Sequence, residues 1–208
     1  MYHNIVFDID GTLIDTEEVC LKALQKLILS RQGREVSLEE CLFSLGIPSR
    51  KVLPMIGMEC TDEILAEWDS YYAEIIDTAK PFDGVMELLH TLKGCPVKLG
   101  IITSRSETEM EYDPNMELLL PYFKVIITAS DTTEHKPTPA PMLEYLRRTG
   151  AKAEDTLYIG DTVYDCQCAK GAGTAFALAT WGAASHEGIQ ADHSPAAPLD
   201  LLTLAAKS

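Results

Sequence analysis

The chain has 208 residues, 46% hydrophobic and 24% charged. That is enough for one full-sized core, or a core with a small second domain, and it excludes a disordered chain. Acids outnumber bases 32 to 17, for a formal net charge of −15, which argues against nucleic acid and anionic membranes as partners. An anionic small substrate is compatible with it, because a lysine, backbone N–H groups and a metal reverse the field inside a single pocket.

No stretch approaches the ~18 consecutive apolar residues that span a bilayer. The N-terminus carries no signal-peptide pattern. Cys20, Cys41, Cys60, Cys95, Cys166 and Cys168 show no zinc-ribbon or C-x-x-C spacing. They read as buried, reduced thiols of a cytoplasmic protein.

The first element is a strand over Asn4 to Phe7. A helical segment follows, from Thr16 to about Pro81. In it Val19, Ala23, Leu24, Leu27 and Ile28 form one apolar stripe, and Ser37 with Glu40 has the form of a capping box. Ile64, Leu65, Trp68, Tyr71, Tyr72, Ile75 and Ile76 follow amphipathic-helix spacing and read as core packing. Thr16 and the stretch from Lys80 to Gly84 are candidate hinges. A helix is predicted over Val85 to Lys93, a strand over Lys98 to Ile102, and a solvated loop or broken helix over Glu107 to Glu117. That last segment holds five acids, no base and an Asp113-Pro114 break. Then come a strand over Lys124 to Thr128, a helix over Ala140 to Arg148, a strand over Thr156 to Ile159, a helix over Tyr164 to Lys170 and a strand over Thr174 to Leu178.

The strands are apolar at consecutive positions, as in a parallel sheet buried on both faces. Their alternation with helices predicts an open, parallel, Rossmann-like α/β sheet. The 90 residues between the first two strands exceed any single crossover. The expected division is therefore a core of residues 1–15 and 82–208 with an inserted helical domain at 16–81.

Ligands of open α/β sheets sit outside the carboxyl ends of the strands. After the first strand stand Asp8, Asp10, Gly11 and Thr12. Thr103, Ser104 and Arg105 follow the second, Lys136-Pro137 comes after the third, and Gly160, Asp161 and Asp165 come with the fourth. Asp8 and Asp10, two apart, share a face if the strand conformation persists. Such close carboxylates call for a cation between them or a retained proton. A hard, oxygen-preferring ion, Mg²⁺, fits this set, and the lack of an accompanying His argues against zinc. Lys136, its loop stiffened by Pro137 and Pro139, suits a phosphoryl group, and Thr103 is placed to donate to the same anion.

The run from Phe7 to Asp15 resembles the first motif of the haloacid dehalogenase superfamily. Thr103-Ser104 is similar to its second, Lys136 to Pro139 to its third, and Gly160 to Asp165 to its fourth. The resemblance implies sheet order 3-2-1-4-5 with a helical cap inserted after the first motif. It implies that Asp8 is a nucleophile forming an aspartyl-phosphate and that Asp10 is the general acid/base, also lending Mg²⁺ its backbone carbonyl. Thr103, Ser104 and Lys136 would hold the phosphoryl group. Asp8, Asp10 and Asp161 would ligate Mg²⁺, with Asp165 and Thr12 in support. The dehalogenases lack the second aspartate of motif one, so Asp10 points to phosphoryl chemistry. Length, cap size and ending resemble phosphoglycolate phosphatases. Pyrophosphatase and β-phosphoglucomutase-like activities are the enzymatic alternatives, and a phospho-Asp signalling or phosphate-binding domain the non-enzymatic one. Arg50, in the segment from Gly46, is the candidate contact for a substrate carboxylate. Arg105 stands where relatives often carry lysine. The expected partner is a small anionic phosphorylated metabolite, and the expected state a monomer or weak homodimer.

Overall fold

Every strand expected from a consecutive apolar run is present in the computed structural model, which describes residues 1–206 apart from Gly46 and Pro48. In chain order the strands are β1 (Asn4–Phe7), β2 (Ile14–Asp15), β3 (Lys80–Pro81), β4 (Lys98–Ile102), β5 (Val125–Ile127), β6 (Thr156–Gly160) and β7 (Ala175–Leu178). Five of them form one sheet in the order β5-β4-β1-β6-β7, with every neighbouring pair parallel. That is the 3-2-1-4-5 order, with β1 at the centre.

The uniform apolar runs hide a two-faced pattern. Ile5, Phe7, Leu99, Ile101, Leu157 and Ile159 join the cluster on one side of the sheet. Val6, Ile102, Tyr158 and Phe176 join the cluster on the other. Successive side chains point to opposite faces, and here both faces are covered, so neither parity is polar. Helices α5 (Val85–Leu92), α6 (Glu107–Glu111) and α7 (Asn115–Leu119) accompany the first face through Leu88, Leu89, Leu92, Met110, Met116 and Leu119. Helices α8 (Ala140–Thr149) and α9 (Val163–Gly171) pack on the second through Met142, Tyr145, Cys168 and Ala169.

Between β2 and β3 lie α1 (Glu17–Gln32), α2 (Leu38–Cys41), α3 (Ser49–Met55) and α4 (Asp62–Ala73). They enclose a third cluster, in which Leu24, Leu27, Ile28, Val52, Leu53 and Trp68 are buried. Each fully buried Leu or Ile contributes about 1.5–3 kcal/mol, against a few tenths for a surface pair such as Glu18–Lys22, so the apolar stripe holds α1 in place. The capping box of Ser37 and Glu40 starts α2 as expected. The amphipathic spacing overran α4, which ends at Ala73; Ile76 lies in a separate 3₁₀ turn. The strands β2 and β3 pair antiparallel, Ile14 opposite Pro81 and Asp15 opposite Lys80. The outgoing and returning chains of the helical segment are thereby hydrogen-bonded to each other.

Two expectations need correcting. Cys41, Cys166 and Cys168 are buried, but Cys60 is exposed and Cys20 and Cys95 are half-buried. The segment 107–117 is a broken helix, as read, yet not simply solvated: Asp113 at the break is buried and paired with Arg105. No helix among the described residues is long and apolar enough to cross a membrane.

Candidate active site

Four strand ends converge at the carboxyl edge of the sheet. Asp8 follows β1 directly and its N–H still bonds the carbonyl of Ile159, 2.9 Å away. The chain then turns back on itself. The N–H groups of Leu13 and Ile14 reach the carbonyl of Ile9, and Gly11 holds a φ of +73°. That φ belongs to the left-handed region where only glycine is at ease. A Cβ on Gly11 would also strike the carboxylate of Asp161. At Gly160 a Cβ would come within 2.5 Å of Asp165. Both glycines are therefore needed for carboxylates to close on the end of β1.

Asp8, Asp161 and Asp165 each offer an oxygen, and the three lie within 4.8 Å of one another. Lys136 supplies one opposing charge. Its Nζ is 3.0 Å from Asp8 Oδ1 and 2.7 Å from Asp165 Oδ1. Asp165 is wholly buried and accepts on Oδ2 from the N–H and hydroxyl of Thr162, at 3.1 and 2.5 Å. The Tyr158 hydroxyl lies 2.9 Å from Asp165 Oδ1 and 3.0 Å from the carbonyl of Ile102. Thr12 is buried, 3.4 Å from Asp161, and its carbonyl accepts from the Trp181 indole at 2.9 Å. Thr103 is buried, and its Oγ1 accepts from the N–H of Arg105 at 3.2 Å, which leaves its own proton free to donate. Ser104 is exposed.

Three carboxylates, those of Asp8 and Asp165 buried and that of Asp161 partly so, against one ammonium leave an excess of negative charge. Burial pushes Asp8 up to about 7; Lys136 works against that rise, and Asp165 and Asp10 add to it. Burial, Asp165 and Asp8 likewise hold Asp161 well above the ordinary carboxylate range. Burial works against a charge on Lys136, but Asp165 and Asp8 outweigh it and its pKa is raised. An all-oxygen donor set with surplus negative charge is what a hard divalent cation fits. A pH dependence follows. Asp8 is raised above its unfolded value, so its contribution is fully present below about pH 4 and is lost as pH rises through about 7. Chelated protein is expected to lose up to about 4 kcal/mol of stability over that range, and added Mg²⁺ to restore much of it. Urea unfolding at pH 5 and pH 8, with Mg²⁺ and with chelator, checks this; a flat chelated profile contradicts it.

The side chain of Asp10 lies outside this cluster. The strand conformation stops at Phe7, so strand alternation does not govern how Asp8 and Asp10 are placed relative to each other. The carboxylate of Asp10 is instead gripped by Arg105, Nε to Oδ2 at 2.9 Å and Nη2 to Oδ1 at 2.7 Å, and accepts from the Tyr72 hydroxyl at 3.1 Å. Burial opposes its charge, but Arg105, Thr16 and Tyr72 hold its pKa below the usual value. Arg50 is not brought to the cluster. It is 66% exposed and paired with Asp62 at 3.0 Å. Its neighbours Gly46 and Pro48 lie outside the described residues. In the sequence Tyr158 reads as a strand residue and Tyr72 as core packing. Strand parity puts Tyr158 on the face that Lys136 approaches, but nothing in the helical spacing singles out the hydroxyl of Tyr72.

Residues 5–179 match the haloacid dehalogenase-like hydrolase family. The chain belongs to that family. Among haloacid dehalogenase-like hydrolases it is 29% identical to the pyrophosphatase PpaX of Anoxybacillus flavithermus, covering 86% of this chain and 84% of that one. It is also 29% identical to the phosphoglycolate phosphatase of Xylella fastidiosa, covering 88% and 82%. The crystal structure of a Lactobacillus plantarum protein superposes with a TM-score of 0.90 at 27% identity, over 98% of this chain and 99% of that one. The match spans the four strand ends that carry Asp8, Thr103, Lys136 and Asp161.

Proposed function

We propose that the protein is a Mg²⁺-dependent phosphatase of small phosphomonoesters, phosphoglycolate being the best candidate, that works through an aspartyl-phosphate. The observation that carries this reading is the Asp8–Asp161–Asp165 triad with Lys136 against Asp8. Asp8, Asp161 and the backbone carbonyl of Asp10 would hold Mg²⁺, with Asp165 behind them, and the ion would offset the charge of the incoming phosphate. Lys136 and Thr103, with Ser104 at the rim, would hold the phosphoryl oxygens.

Asp8 attacks phosphorus, and the bond to the leaving oxygen breaks as Asp10 supplies a proton. Water then attacks the aspartyl-phosphate and gives its proton to Asp10, which returns Asp8 to a carboxylate. Residues 16–81 act as a cap over the core of residues 1–15 and 82–208, turning on the paired strands β2 and β3. The partner is one anionic metabolite in a reducing cytoplasm, with no nucleic acid or membrane, and the working unit is a monomer or weak homodimer.

One observation favours pyrophosphate as the alternative substrate. Gripped by Arg105, Asp10 is held as a carboxylate. It must gain a proton before it assists an alkoxide, whereas the phosphate leaving group of pyrophosphate needs less help. Hydrolysis of phosphoglycolate, pyrophosphate and hexose phosphates, each with Mg²⁺ and with chelator, tests both readings. Phosphoglycolate is expected to be turned over fastest and chelation to abolish the rate. Fast pyrophosphate hydrolysis with none of phosphoglycolate moves the assignment to the alternative. Activity indifferent to chelator ends the metal-dependent reading.

A further inference from the structure

Arg105 and the break at Asp113-Pro114 are joined in the folded protein. Arg105 is 4% exposed and its Nη1 donates to Asp113 Oδ2 at 2.6 Å. The other oxygen of Asp113 accepts from the N–H and Nδ2 of Asn115, at 2.8 and 2.9 Å. The same Nδ2 reaches the carbonyl of Ala79 at 3.2 Å, immediately before β3. Nη2 of Arg105 also donates to the Tyr72 hydroxyl, on α4, at 2.9 Å. A continuous path therefore runs from Asp10 through Arg105 and Asp113 to the returning linker, with a branch into the helical insertion. The end of α6 turns Asp113 inward, so the broken helix has a function in this path.

Two roles are open to a buried arginine here: to bind an anionic part of the substrate, or to aim Asp10. Charge and donor count decide between them. Asp10 and Asp113 together outweigh the single positive charge of Arg105. Four of its five N–H groups are already used, two on Asp10, one on Tyr72 and one on Asp113. Little remains for a substrate anion. The planar fork meets both oxygens of Asp10 and so fixes the plane of the carboxylate, which a lysine cannot do.

We propose that Arg105 is a positioning residue that aims the Asp10 carboxylate at the water attacking the aspartyl-phosphate, and that its bond to Tyr72 and its link through Asp113 to Asn115 make this aim depend on the docked helical insertion. In that step a water proton passes to Asp10, the water oxygen bonds to phosphorus, and the phosphorus–oxygen bond to Asp8 breaks with its electron pair returning to Asp8. The inference rests on the acid/base reading of Asp10.

The test uses 4-nitrophenyl phosphate, whose leaving group departs without a proton, and Mg²⁺-loaded enzyme. The variants are Arg105→Lys, which keeps the charge, and Arg105→Ala with Asp113→Asn, which removes the buried cation together with a carboxylate it balances. For both, kcat is expected to fall about 100-fold, as for a misplaced catalytic group, and kcat/KM less than about tenfold. Acid quenching is expected to trap phosphoenzyme on most chains, after a burst of nitrophenolate. Equal losses in kcat and kcat/KM without trapped phosphoenzyme mean a merely structural role and overturn the proposal. A rise in kcat overturns it too, since the contact would then restrain Asp10. Asp10→Asn, run in parallel, separates the two levels. If that variant keeps full turnover, the acid/base reading itself is wrong; if it stalls as phosphoenzyme while Arg105→Lys does not, only the positioning role fails.

Discussion

Asp8→Asn is expected to lower turnover by at least about 10⁴-fold while raising the stability of the chelated protein above pH 7. A loss of that size is typical when the nucleophile of a covalent mechanism is removed. The gain in stability has a separate cause. Burial pushes the Asp8 carboxyl up, Lys136 does not fully compensate, and the charges of Asp165 and Asp10 add to the rise, so its pKa stands near 7. Above that pH the folded protein must carry a charge it would shed if it could. Asparagine keeps the shape without the charge. The variant should therefore unfold at higher urea than wild type at pH 8 in chelator, and the difference should vanish below about pH 3, where Asp8 is protonated in both states. An Asp8→Asn protein that retains activity excludes the nucleophile. One that is inactive but less stable at pH 8 contradicts the crowded-acid account.

Lys136→Ala is expected to be the most destabilising single change at the site, costing about 3–5 kcal/mol in chelator and about 10³-fold in kcat with Mg²⁺ present. The lysine is the one cation within reach of both Asp8 and Asp165 among the described contacts of those two carboxylates. Asp165 has no route to water: it is wholly buried, and its other partners, Tyr158 and Thr162, are neutral. Truncating Lys136 strands a buried carboxylate, which is far costlier than losing a surface pair such as Arg147–Glu144. Lys136→Ala with Asp165→Asn should recover much of the stability and none of the rate. Denaturant midpoints for the two variants, with kcat measured alongside, check both effects. If Lys136→Ala changes neither, the lysine is not part of the site.

The two variants probe different halves of one arrangement. Asp8 is destabilising and would be kept for chemistry, whereas Lys136 is required both by the fold and by the proposed reaction. Such opposed effects are common where a site gathers like charges before its ligand arrives.

Fold and site were not equally legible. The strands were readable because burial on both faces demands apolar residues at consecutive positions, and β1 and β4 begin and end where that reading put them. The candidate residues at the strand ends were readable because a parallel sheet delivers every carboxyl end to one edge, whatever the details of packing. Asp8, Lys136, Asp161 and Asp165 follow from order along the chain alone.

What the chain order left open was where each side chain turns after its strand ends. The carboxylate of Asp10 bonds to Arg105 and Tyr72 and is not part of the group that Asp8 forms with Asp161 and Asp165, although only Ile9 lies between Asp8 and Asp10. Arg105 reached Asp10 across 95 positions, and Tyr72 across 62. Arg50, in the insertion's third helix, paired with Asp62 on the surface instead of facing the cluster. Local periodicity records which face of an element is buried, and so determines elements and their order. Side-chain partners at the site depend on how the helical insertion docks on the sheet, a balance of distant contacts that only the tertiary structure decides.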